Sequence, residues 1–205
     1  MPISHLHRGD VVFTVDAKHT AMHMVIATAQ RMGSAFHDGH ANSIHAAIAT
    51  GQGYEVIESV GSGIRSQQLQ AGNYRVFAYR GPNQNEIREF AVEVAESHLA
   101  QRGLTPGYGS YNKVKATKSP FRLGGGTNVV NAQTQQFGQG AHSHASFFCS
   151  NFVWRCYAAA AELTGQLQMP IPNSHSQLGP RDLEALLINS AMWHARNGGH
   201  AMAHP

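Results

Sequence analysis

Apolar positions change their period several times along the chain, and each change marks an element. "DVVFTV" (10–15) is a short apolar run after a Gly-Asp turn and predicts a first strand. "AKHTAMHMVIATAQRMG" (17–33) sets Ala21, Met24, Val25, Thr28 and Met32 close to helical period, with Gly33 as a stop. "SIHAAIAT" (43–50) and "YEVIES" (54–59) are β-type runs around "GQG", and "NYRVFAY" (73–79) is another strand. "NEIREFAVEVAESHLAQRG" (85–103) predicts an amphipathic helix with Ile87, Phe90, Val94 and Leu99 inward and Gly103 at its end. Residues 104–145, rich in Gly, Gln, Asn and Ser, lose periodicity and predict a long loop. A helix then carries "CSNFVWRCYAAAA", "PIPNSHSQLGP" connects, and "PRDLEALLINS" predicts a last helix with Pro180 in its first turn. Trp154 and Trp193 read as core residues on helices. The order implies an α+β fold with a small, mostly antiparallel sheet packed with helices. One domain over 1–195 is expected, followed by a flexible tail over 196–205.

Composition narrows the classes. The 205 residues are 42% hydrophobic and 13% charged, enough apolar material for a packed core. No run of about 18 apolar residues is present, so no integral membrane segment is expected. "MPISHLHRGD" has no apolar signal core, which implies a cytoplasmic product as synthesised and leaves only a signal-independent route for secretion. The formal charge is +3 and its basic residues are scattered; "NKVKATK" (112–118) reads as solvated loop, and no nucleic-acid partner is expected. The 14 histidines make the net charge pH-sensitive. "HDGH" (37–40), "AHSH" (141–144) and "GGHAMAH" (198–204) lack zinc-site spacing, so no metal and no cofactor is expected. "GQGYEV" and "GSG" lack the lysine and the strand–helix setting of a phosphate loop.

The two cysteines hold the chemistry. In one straight helix Cys149 and Cys156 stand about 10 Å apart, too far for a disulfide. Cys149 falls where the helix begins, so the free N–H groups and the dipole favour a thiolate there and can receive an oxyanion. An inert buried thiol is the alternative. His45 is the candidate base. If Gly51-Gln52 is a two-residue hairpin loop, Thr50 pairs with Gly53 and His45 falls directly opposite Glu58. A carboxylate there can orient the imidazole, and one extra loop residue would send it to the other face. Ala47 and Ala49 on His45's face leave room for another element. A half-exposed strand histidine is the plain alternative. His142 and His144, just upstream of Cys149, either line the cleft or decorate a loop.

"GDVVF" (9–13), "SIHAAIATGQGYEVIES" (43–59), "FFCSNFVWRCY" (147–157) and "GPRDL" (179–183) together resemble the circularly permuted NlpC-like papain-fold hydrolases, the YiiX-like branch. That resemblance implies a permuted papain-like fold in which histidine precedes cysteine. It implies a Cys149–His45–Glu58 triad and an acyl-enzyme, with Tyr111 and Ser150 as substrate and oxyanion candidates. It departs in the helix at 17–33 and in the stretch 124–145, which bear on the cleft's shape. The implied activity is a cysteine hydrolase cleaving an amide, in a peptidoglycan peptide or a related peptide or isopeptide, in the manner of a bacterial effector or toxin. An immunity or adaptor protein would be the partner. Two alternatives stay open: acyl chemistry on lipids, as in lecithin:retinol acyltransferase relatives, and a non-catalytic binding module.

Overall fold

In the computed structural model, which describes residues 5–15, 43–70, 72–104, 149–171 and 179–196, the alternating runs pair into one six-stranded sheet. Its strands are β1 (Val11–Val15), β2 (Ser43–Ala49), β3 (Glu55–Val60), β4 (Gly63–Gln68), β5 (Tyr74–Tyr79) and β6 (Trp193–Ala195). They lie in the order β4-β3-β2-β1-β5-β6, every neighbour antiparallel. Three helices complete the described fold: α1 (Gln84–Leu104), α2 (Cys149–Leu163) and α3 (Pro180–Ile188). The class is α+β. Among the described residues no helix is long and apolar enough to cross a membrane.

Two strands escape the hydrophobic pattern. β4, "GIRSQQ", is mostly polar because, among the described residues, it closes one side of the sheet and pairs only with β3. β6 is three residues long. Trp193, expected on a helix, therefore stands on a strand. The helix ends earlier because Asn189 caps it, its side chain donating to the Ala185 carbonyl at 2.9 Å. Trp193 then pairs with Tyr79 and donates Nε1–H to the Pro170 carbonyl at 2.6 Å, so it is core all the same. Gly103 does not end α1, which runs on to Leu104. The helix expected at 17–33 and the loop beyond residue 104 lie outside the described residues.

Alternation sends successive strand residues to opposite faces, and both faces are covered. Val11, Phe13, Ile48, Ile57 and Phe77 belong to the main core with Val92, Phe152, Val153, Tyr157 and Leu183 from the helices. Val12, Ala47, Ala49, Val56 and Val76 form a second cluster with Leu6 and Tyr74. Ala91 and Ala95 of α1 and Ala158–Ala161 of α2 are buried, and such small side chains let two helices approach closely.

The Gly-Asp turn before β1 is a junction. Gly9 has φ +79, and a Cβ there would come within 2.7 Å of Arg88 Cβ. Its carbonyl accepts the buried Tyr157 hydroxyl of α2. Asp10, fully buried, accepts the His7 backbone N–H at 2.9 Å and pairs with Arg88 at 3.0 Å and with Arg196. Arg196, which heads the expected tail, is thus tied to the core, and its N–H also donates to the Val76 carbonyl at 2.8 Å. Residues 197–205 lie outside the described residues.

Candidate active site

The β2–β3 hairpin decides which residues share a face. Thr50 N–H donates to the Glu55 carbonyl at 3.0 Å, so the loop is the four residues 51–54 rather than two. Gly51 (φ +86) and Gly53 (φ +62) supply the left-handed conformations this longer loop requires. The Thr50 hydroxyl oxygen also accepts the Gln52 N–H at 3.2 Å. Glu58 consequently pairs with Ala47, not directly with His45 as a two-residue loop would require. Both loop lengths are even, so Glu58 remains on His45's face and reaches the ring along the diagonal. His45 Nε2 and Glu58 Oε2 are 2.7 Å apart.

Glu58 is 2% exposed, and both of its oxygens are engaged. Oε2 meets His45, while Oε1 accepts Arg65 Nε and Nη2, each at 2.7 Å. Burial alone would push this carboxyl up; the hydrogen bonds and charges of His45 and Arg65 hold it below its ordinary value. His45 shows the converse balance. Burial pulls the imidazole down, yet the charge of Cys149, a hydrogen bond to that sulfur and the Glu58 carboxylate raise it from 6.5 to about 10. With Nε2 donating to Glu58, neutral His45 carries its proton there and leaves Nδ1 to accept one.

Cys149 is the first residue of α2 and is 2% exposed. His45, with 18% of its side chain exposed, is more open to solvent than Cys149 or Glu58. Cys156 lies two turns along the helix, fully buried, and burial drives its thiol far above the ordinary range. Both cysteines are free. Ser150, a substrate or oxyanion candidate, is fully buried in the first turn of α2. Tyr111, His142 and His144 lie outside the described residues, as do the three histidine-rich motifs. Among the described residues no group of three potential ligands could hold a metal ion.

Asp10 is committed to Arg88 and Arg196. Arg65 is the residue that sequence reading passed over. Its signal was the "GSG" segment, which makes the tight β3–β4 turn: Val60 pairs with Gly63, and counting outward sets Arg65 opposite Glu58. No protein-family model, no curated protein and no solved structure matches the chain.

Proposed function

We propose that this chain is a cysteine hydrolase of permuted papain-like architecture that cleaves amide bonds, with peptidoglycan peptides or related isopeptides as its substrate class. One observation carries the reading: the His45 ring meets a buried carboxylate at 2.7 Å through Nε2 and lies close enough to Cys149, at a helix N-terminus, for the two to be electrostatically linked. A nucleophile, a base and an orienting acid within hydrogen-bond reach of one another are the minimum set for acyl transfer.

The chemistry follows from those positions. Cys149 gives its proton to His45 Nδ1, and Glu58 steadies the imidazolium through Nε2. The thiolate sulfur attacks the amide carbonyl carbon, and the carbonyl electron pair moves onto oxygen. N–H groups in the first turn of α2, unbonded within the helix, are donors for that oxyanion. Imidazolium protonates the leaving nitrogen, the C–N bond breaks and a thioester remains. His45 then takes a proton from water, the hydroxyl forms the new C–O bond and the C–S bond breaks, restoring the thiol.

Mass spectrometry of murein fragments and, separately, phospholipids after incubation with the protein tests this. Hydrolysed murein peptides, lost in Cys149→Ala, are the expected result. Released fatty acid would transfer the same site to lipid acyl chemistry, and no turnover together with no alkylation of native Cys149 would leave a binding module.

A further inference from the structure

Arg65 has no place in a three-residue account of the site, yet its guanidinium occupies the Glu58 oxygen that His45 does not use. We propose that Arg65 is a positioning residue, locking the Glu58 carboxylate so that its other oxygen presents a fixed, charged acceptor to His45. The proposal rests on the hydrolase reading and deepens it.

Three features carry it. Glu58 is 2% exposed, and an ionised carboxylate so placed is costly unless both oxygens are paired. Arg65 reaches it from directly across the β3–β4 ladder, so backbone register, and not side-chain search alone, brings the pair together. The contact uses two guanidinium nitrogens on one oxygen, leaving Oε2 to the ring. His45 of β2 and Arg65 of β4 act on this carboxylate, Cys149 of α2 acts through His45, and Tyr74 of β5 feels the carboxylate's charge. Arg65 is the one fixed cation of the set. Without it, His45 alone would hold the carboxylate ionised against burial, and its pairing with the imidazolium would weaken.

The test compares wild type with Arg65→Gln and Arg65→Lys in the full chain. Carbon-13 NMR of the labelled Glu58 carboxyl follows its titration, and iodoacetamide with peptide mapping follows the rate at Cys149 near pH 6. Arg65→Gln should move the Glu58 midpoint up by about one unit and slow Cys149 labelling several-fold. Arg65→Lys, which keeps a charge but loses the paired geometry, should recover part of both. An Arg65 that only holds the sheet together would lower the melting temperature while leaving the midpoint and the labelling rate of the folded fraction where they were; that result overturns the proposal. Wild-type Cys149 that does not label, or labels identically in His45→Ala, overturns the hydrolase reading itself and the role of Arg65 with it. If Arg65→Gln fails to fold, Arg65→Lys decides through the same two readings: wild-type values in both overturn the proposal.

Discussion

At the residue scale the two thiols divide by environment. Cys149 shares its space with His45, whereas Cys156 is sealed in the core and held protonated by burial. Cys149→Ala should abolish turnover in a folded protein; Cys156→Ala should retain it and lose about 1 kcal/mol of stability, checked by urea unfolding beside the assay. Glu58→Gln keeps the shape but removes the charge that holds imidazolium, so turnover should fall about a hundredfold or more. Glu58 also links the site to pH. Its folded value lies below 4.5, so the stability it contributes is present above pH 4.5 and lost as pH falls through the folded value. Unfolding curves of wild type and Glu58→Gln should therefore converge toward low pH.

At the element scale the β2–β3 loop carries the geometry. Gly51 combines φ +86 with a close neighbour, since a Cβ would stand 2.8 Å from Arg8 Cβ, while Gly53 at φ +62 faces open space. Gly53→Ala should cost about 1 kcal/mol, the left-handed penalty alone. Gly51→Ala adds a clash and should cost about 2–3 kcal/mol. Chemical denaturation ranks the two; equal losses would show that Arg8 yields freely. Arg8 is itself held by Glu89 at 2.7 Å and Glu96 at 2.8 Å on α1, which is why it cannot simply swing aside. One loop thus sets both the register behind the site and the contact with α1.

At the scale of the whole molecule, buried charge joins the ends of the fold. Asp10 binds Arg88 and Arg196, 78 and 186 residues away along the chain. Asp10→Ala strands two largely buried cations and should destabilise by about 3–5 kcal/mol; Arg196→Ala leaves Asp10 paired with Arg88 and should cost less. His98 gives the fold an acid weakness of its own. It is 2% exposed, stacked edge-on to Phe152, and burial with the Arg155 charge lowers it from 6.5 to about 4. Between those values the unfolded chain binds the proton more readily, so stability is full above pH 6.5 and falls as pH drops toward 4. The loss should reach about 3 kcal/mol. His98→Gln should flatten that slope whatever it does to stability at neutral pH, as unfolding free energies across this range would report.

What the sequence by itself determined were the features of short range. Short apolar and β-type runs marked β1, β2, β3 and β5, helical period marked α1, Pro180 fell in the first turn of α3, and Cys149 fell at the start of α2. The common face of His45 and Glu58 was also legible, because any even loop between two strands preserves it. Tertiary structure alone decided the rest. The loop took four residues because Gly51 and Gly53 adopt left-handed conformations and Arg8 packs beneath the turn, an arrangement no period encodes. β4 and β6 were hidden because a polar edge strand and a three-residue strand bury too little apolar surface to leave a pattern. The pairing of Asp10 with Arg88 and Arg196, the reach of His45 to Cys149 and the placing of Arg65 on Glu58 all need parts of the chain brought together by packing. Residue type says that a charge needs a partner; only the folded chain says which one is near enough to hold it.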